Sequence, residues 1–218
     1  MTYLSRVSLK PAAVRKFLTL ASGNGPATFG HKAVWSLFDD DPDHERDFVF
    51  KVVSQNPFVA YVASKRPPQD ELGLWEVDSR LFNPILRVGQ KVRFELTAVP
   101  AIKILGKAYD AVKFEWHKLP EKRRQQVSQA DLVQPVGFEW LKKKEEVAGF
   151  SVEEGDIAIS NWIEHTFFTS ERKQVTLRSI DYSGILTVTD EERFRKTLTS
   201  GIGRGRGFGF GLLLGRPA

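Results

Sequence analysis

Apolar and polar residues alternate cleanly along Lys91–Ala98: Val92, Phe94, Leu96 and Ala98 take one face, and Lys91, Arg93, Glu95 and Thr97 the other. This is the pattern of a half-buried strand. Tyr3–Leu9 alternates in the same way, and Asp47–Ser54 and Phe58–Ser64 are β-rich runs joined by the turn Gln55-Asn56-Pro57, which predicts a hairpin. Pro11 suits the first position of a helix, where its missing N–H costs nothing. That helix is expected to run to Leu20 and to break at Ser22-Gly23-Asn24-Gly25-Pro26. Val34, Leu37 and Phe38 recur at helical spacing within His31–Phe38, ahead of the acidic turn Asp39-Asp40-Asp41-Pro42. Strand, helix, strand, strand is the opening of a ferredoxin-like unit.

Pro67-Pro68 and Pro84 punctuate the stretch beyond, and Lys91–Ala98 then opens a second unit. A helix is predicted over Val136–Val147, ending near Gly149, and strands around Val152–Ile159, Gln174–Ile180 and Gly184–Val188. Asp190 suits an N-cap, with Glu191 and Glu192 favouring the dipole of a helix that reaches Ser200. Phe210–Leu214 reads as the last strand, and Lys113–Arg124 as a hairpin or loop. The expected fold class is α+β with two ferredoxin-like units in tandem. The boundary falls near residues 84–90, giving units 1–88 and 89–218, and the repeat is one of topology rather than sequence.

The chain of 218 residues can bury one large core or two small ones. It has no cysteine, which excludes a disulfide scaffold, a thiolate metal site and a Cys nucleophile. No apolar run approaches the ~20 residues of a membrane span, and the first residues lack a signal-peptide pattern. These features fit a cytoplasmic protein. The net charge of +5 is unspecific, but basic residues cluster at Lys113–Arg124, Lys142–Lys144 and Arg204–Arg206 while acids gather at Asp39–Glu45 and Asp190–Glu192. Clusters of one sign on one face would track a phosphate backbone.

The most specific feature is Gly201-Ile202-Gly203-Arg204-Gly205-Arg206-Gly207-Phe208-Gly209-Phe210-Gly211, with glycine at every odd position. Between a helix and a strand this run would be a tight loop. Backbone N–H groups at Gly203, Gly205 and Gly207 could meet phosphate oxygens, with Arg204 and Arg206 adding forked charge. A disordered RGG-type tail, a nucleotide-binding loop and a purely structural turn are the competing readings. The apolar Leu212-Leu213-Leu214 that follows argues against a tail. The order helix–loop–strand is the reverse of dinucleotide and P-loop motifs.

This glycine run after a helix resembles the C-terminal signature of CRISPR repeat-cleaving endoribonucleases. The subgroup it is most similar to is the CasE family, the repeat-RNA-processing subunit of the type I-E Cascade complex. Tyr3-Leu4-Ser5-Arg6-Val7 resembles the family's opening strand, and His31 with Trp35-Ser36-Leu37-Phe38 the helix carrying its catalytic histidine. Asp47-Phe48-Val49-Phe50 and Ile185–Asp190 match as well, and residues 100–135 match least. The resemblance implies two RRM-related ferredoxin-like units and a CRISPR repeat stem-loop RNA held across them. It implies cleavage at the 3′ base of the stem and continued association with the product inside Cascade, including contact with its backbone subunit. No metal or other cofactor is implied, and no membrane partner. Two positions depart from relatives: Thr28 stands where some carry a tyrosine one turn before the histidine, and Ser36 where some carry a lysine, although Lys32 adjoins His31.

RNA is cut without a metal when its own 2′-hydroxyl attacks the adjacent phosphorus, which needs a base, an acid and cations at the phosphate. The products would be a 2′,3′-cyclic phosphate and a 5′-hydroxyl. Imidazole suits the proton steps. Of the four histidines, His31, His44, His117 and His165, none pairs with another at metal-ligand spacing. His31, with Lys32, is the catalytic candidate on the resemblance. Its place after Gly30 suggests a helix N-terminus, whose dipole would favour a neutral base. His44 reads as solvated in its acidic run and His165 as a strand-face residue. His117 joins Lys113, Lys118, Lys122, Arg123 and Arg124 as candidates for gripping the stem, against the alternative of an ordinary solvated charge run. Lys142-Lys143-Lys144 reads as an exposed helical face. An RNA-binding module without catalysis and a structural subunit of the same fold remain alternatives to the nuclease.

Overall fold

A computed structural model describes residues 1–16, 26–38, 46–168 and 174–218. Strands β1 (Tyr3–Leu9), β2 (Phe48–Gln55), β3 (Phe58–Ser64) and β4 (Trp75–Leu81) form an antiparallel sheet in the order β2-β3-β1-β4. Helix α1 (Pro26–Trp35) covers one face of it. Ala33 and Val34, with Leu37 and Phe38 in the turn that follows, pack on Val7, Phe48, Phe50 and Val62. A helical spacing of apolar residues therefore meets strands whose every second residue is apolar, and the two patterns close one core.

The second sheet, in the order β10-β5-β9-β8, uses β5 (Lys91–Ala98), β8 (Phe150–Phe168), β9 (Gln174–Val188) and β10 (Leu213–Pro217). Between β5 and β8 come the small hairpin β6 (Ala101–Ile104) and β7 (Lys107–Asp110), then α2 (Ala111–Lys118), α3 (Glu121–Arg124), α4 (Val133–Lys142) and α5 (Glu145–Ala148). Helix α6 (Glu191–Ser200) joins β9 to the segment before β10. Trp140 and Leu141 of α4 and Phe194 and Leu198 of α6 bury against Phe94, Leu96, Ile180 and Leu186. Each sheet thus reads fourth-first-third-second in its own strand count, the ferredoxin-like order, and the tandem α+β expectation holds. The first unit departs from the full pattern because residues 65–74, between β3 and β4, contain no helix.

Several expected elements need correction. Lys113–Arg124 is helical rather than a hairpin, and Asp110 starts α2 by accepting from the Lys113 N–H at 2.7 Å. Most α2 side chains are charged or half-exposed, so the sequence shows no clear apolar stripe. The two runs at Gln174–Ile180 and Gly184–Val188 are one continuous strand. The apparent break at Gly184 faces an irregularity in β8, whose register shifts between Val152 and Ile157. β4 went unrecognised because it is an edge strand that buries only Trp75. The final strand begins at Leu213, since Phe210–Leu212 are buried but leave strand geometry at Gly211, whose φ is +87°. The helix predicted over His31–Phe38 is displaced to Pro26–Trp35. The one expected to run from Pro11 to Leu20 begins as a short 3-10 turn at Pro11–Ala13, and its end and the break at Ser22–Gly25 lie outside the described residues.

The two sheets are joined through the glycine-rich segment. Leu212 packs on Val49 and Ala63, on the face of the first sheet opposite α1, and α6 also contacts β2 and β3. Lys51 of β2 and Glu95 of β5 form an ion pair across the junction at 3.5 Å. No helix of the described residues is long and apolar enough to cross a membrane.

Helix α6 delivers the glycine segment and is capped by Asp190, whose carboxylate accepts from the Arg193 N–H at 2.9 Å. Asp190→Ala should lower stability by about 1 kcal/mol, read as a lower urea midpoint at unchanged slope. An unchanged midpoint would show that the cap contributes nothing.

Candidate functional site

The glycine segment leaves α6 and is tied down by its own backbone. The Ile202 N–H donates to the Gly211 carbonyl at 2.8 Å, which closes the base of the loop. The Gly211 N–H donates to the Thr97 carbonyl of β5 at 2.7 Å. Gly211 holds φ at +87°, and a Cβ there would run into the Ile202 carbonyl, so the closure requires glycine. Within the loop, the Phe208 N–H donates to the Gly205 carbonyl at 2.8 Å, shaping a 3-10 turn over Arg206–Phe208. Phe210 anchors the loop among Val99, Phe167 and Leu177. The segment is an ordered, packed turn, which removes the disordered-tail reading.

His31 meets this loop from the other unit. Its ring stacks on Phe208 with centroids 5.0 Å apart and planes inclined by 26°, and it leans on Trp35 at 5.1 Å. Its Nδ1 lies 2.6 Å from the Gly207 carbonyl oxygen. A carbonyl only accepts, so Nδ1 carries the proton and the lone pair of the neutral ring sits on Nε2. The Trp35 indole N–H points at the same oxygen at 3.4 Å. Among the described residues Nε2 has no protein partner.

The histidine's pKa lies below its ordinary value. Burial is the main cause; the bond to Gly207 opposes it, and the charges of Arg46 and Lys32 push further down. The cause is not the helix-end dipole expected from the sequence. His31 lies in the second turn of α1, not at its N-terminus, and it is burial and neighbouring cations that favour the neutral ring.

Arg46 is the residue that sequence reasoning missed. Its guanidinium lies over Gly207 so closely that any side chain at that position would collide with it. Burial, then the charge of Arg206, lowers its pKa. An arginine next to an acidic run reads as a solvated ion pair, and nothing local in the sequence signals that it folds onto a loop near the other terminus.

The remaining candidates fall into two groups. Lys32 is exposed beside His31, and Arg204 is exposed on the loop, where it bridges Val99. Arg206 turns back, and its guanidinium donates to the Ser200 carbonyl at 2.9 Å, complementing the end of α6. Gly203 lies against Trp140, and Gly205 between Phe210 and Leu177. Lys113, His117, Lys118, Lys122, Arg123 and Arg124 lie on α2 and α3, and α2 packs on α4 and the β6–β7 hairpin. They form a second basic group, separate from that at Gly207. Within it Lys118 is paired with Glu115 at 3.0 Å, Arg124 lies over the Trp116 ring, and His117, Lys122 and Arg123 are exposed. His165 sits on β8 with Nε2 2.8 Å from Ser179 Oγ. His44 and the side chain of Thr28 lie outside the described residues. Among the described residues no cluster of His, Cys, Asp and Glu could hold a metal ion.

The depressed pKa of His31 has a defined sign. The unfolded histidine titrates near 6.5 and the folded one lower, so the unfolded chain binds more protons between the two values. This contribution to stability is full above about pH 6.5 and is lost as pH falls through the folded pKa. Urea unfolding at about pH 7.5 and pH 5.5 should show that loss, and His31→Gln should reduce it. An equal loss in both proteins would mean that His31 is not shifted downward.

Comparison with known proteins bears on this geometry. No curated protein sequence matches the chain. The fold matches a CRISPR endoribonuclease Cse3 bound to a 19-nucleotide RNA, with a TM-score of 0.72, 24% identity and 100% of both chains covered. It matches Thermus thermophilus Cse3 bound to an RNA representing a pre-cleavage complex at TM-score 0.71, with 23% identity and 99% of each chain covered. Cas6e from Escherichia coli K-12 matches at TM-score 0.64, with 22% identity over 99% of this chain and 100% of that one. The family model described as "CRISPR associated protein" matches residues 2–217, so the chain belongs to the CRISPR-associated protein family that this model defines.

Proposed function

We propose that the protein is an endoribonuclease that binds the stem-loop of a CRISPR repeat and cuts precursor RNA by activating a ribose 2′-hydroxyl. The observation that carries this reading is the His31 imidazole, held through Nδ1 by the Gly207 carbonyl at 2.6 Å with Nε2 left, among the described residues, without a protein partner. A neutral imidazole so held has its lone pair ready to take the 2′-hydroxyl proton. The released oxygen attacks the adjacent phosphorus, and the 5′-oxygen leaves and takes up a proton from water, giving a 2′,3′-cyclic phosphate and a 5′-hydroxyl, while His31 returns its proton to solvent. Lys32, Arg46 and Arg204 supply positive charge for the phosphate as charge builds on it. Among the described residues the groups gathered at Gly207 are an imidazole and cations rather than the carboxylates that hold Mg²⁺, which supports a metal-independent reaction.

The exposed basic residues of α2 and α3, namely His117, Lys118, Lys122 and Arg123, with Lys113 and Arg124 beside them, serve in this reading as a second contact to the RNA backbone. Fold and family further support a protein that keeps its cleaved RNA and joins Cascade beside the backbone subunit. The units 1–88 and 89–218 then divide the work, one carrying the histidine and the other the glycine loop.

His31→Ala should lower single-turnover cleavage of the host repeat RNA by about 100-fold or more, with binding changed little. A 2′-deoxy substitution at the nucleotide before the cut should abolish cleavage, in EDTA as well as without it, and leave binding intact. Cleavage of the deoxy substrate would contradict the mechanism. Tight, salt-sensitive binding with no cleavage by the wild type would instead make the protein an RNA-binding module of the same fold.

A further inference from the structure

Next to the His31 site lies a cleft of about 370 Å³ that the reaction just described does not use. It runs between β2 of the first sheet and the β8–β9 pair of the second. Phe208 and Gly30 belong to its wall. Phe208 is the ring on which His31 stacks, and Gly30 is the histidine's chain neighbour, so cleft and imidazole share a partition one side chain thick. The volume falls in the range of small-molecule sites, roughly 300–1,000 Å³.

The walls have two kinds of surface. Phe208, Phe210 and Ile163 are apolar, and Ile163 remains 47% exposed although it is large and aliphatic. Opposed to them are fixed polar groups. Asp181 accepts from Thr97 Oγ1 at 2.6 Å and from Asn161 Nδ2 at 3.0 Å, so both its oxygens are held in place, each with a lone pair to spare. His165 is oriented by its contact with Ser179, and burial keeps its pKa low against the opposing charge of Asp181. The cleft is also where β8 departs from regular pairing. Its register shifts between Ser160 and Ile163, and Asn161 holds φ at +57°. Such bulges re-aim side chains beside functional sites, and this one carries both Ile163 and the Asn161 amide that orients Asp181.

Aromatic and aliphatic faces with acceptors at one edge suit a flat ring whose rim carries N–H donors. Asp181 disfavours a phosphate, and Lys51 in the wall is already paired with Glu95. We infer that this cleft receives the base of an unpaired nucleotide adjoining the scissile phosphate, with Asp181 accepting from the amino or imino edge of that base. The inference rests on the proposed function and deepens it. Single-stranded RNA is recognised in general by stacking and by hydrogen bonds to base edges, and here that recognition would position the ribose next to His31.

Abasic substitutions placed singly at the nucleotides on either side of the cut test it, with cleavage and binding measured for the wild type, Asp181→Asn and Ile163→Ala. One abasic position should slow cleavage about tenfold. Each protein variant should slow cleavage of intact RNA and have little further effect on that abasic RNA, because both changes remove the same contact. Ile163→Ala, at a half-exposed site, keeps the test valid should Asp181→Asn disturb folding. If no flanking abasic position matters, or if the losses multiply, the inference is overturned while cleavage of intact RNA still upholds the nuclease. If the wild type neither binds nor cuts intact RNA, the proposed function falls and the inference with it.

Discussion

The hydrogen bond from His31 Nδ1 to the Gly207 carbonyl is the constraint on which the site depends. It joins a helix of the first unit to a loop of the second, and it decides which nitrogen of the ring is free. Without it the imidazole would be a half-buried side chain with both tautomers open to it. With it the ring is a neutral group of fixed orientation, stacked on Phe208 and flanked by cations. Such a bond exists only if the loop backbone comes within reach. The run of small residues allows this: the loop folds on itself at Gly211 and leaves room for Arg46 over Gly207.

The rest of the fold follows from the need to hold that loop still. α6 carries the chain into it, β10 carries the chain away along β5, and Phe210 and Leu212 anchor it in the apolar groups on either side. Two ferredoxin-like sheets could pack in many relative positions. The glycine segment, the Lys51–Glu95 pair and the contact of α6 with the first sheet select one. The cleft beside His31 is a product of the same junction, since its walls come from β2 on one side and β8–β9 on the other.

β5 was legible because it buries one face and exposes the other in strict alternation, and β3 because its run of apolar and β-branched residues is buried on both faces. The cap at Asp190 was legible because its chemistry is local. The edge strand β4 and the charged helices α2 and α3 were not, since neither buries enough apolar side chain to leave a pattern. In the site, His31 and the glycine loop could be singled out, the histidine by family resemblance and the loop by composition. Their mutual contact could not be read from the chain, because it depends on how two units dock. Arg46 was invisible for the same reason. The low pKa of His31 was anticipated with the wrong cause: the dipole of a helix end was expected, whereas burial dominates in the folded protein.

The central claim is the protonation state and tautomer of one ring, and nitrogen-detected NMR of His31 in the folded protein measures both. A neutral ring protonated on Nδ1, titrating below about 6.5 and assigned by its loss in His31→Gln, is the result this account requires. A ring protonated on Nε2 at neutral pH, or one titrating above that value, would contradict it.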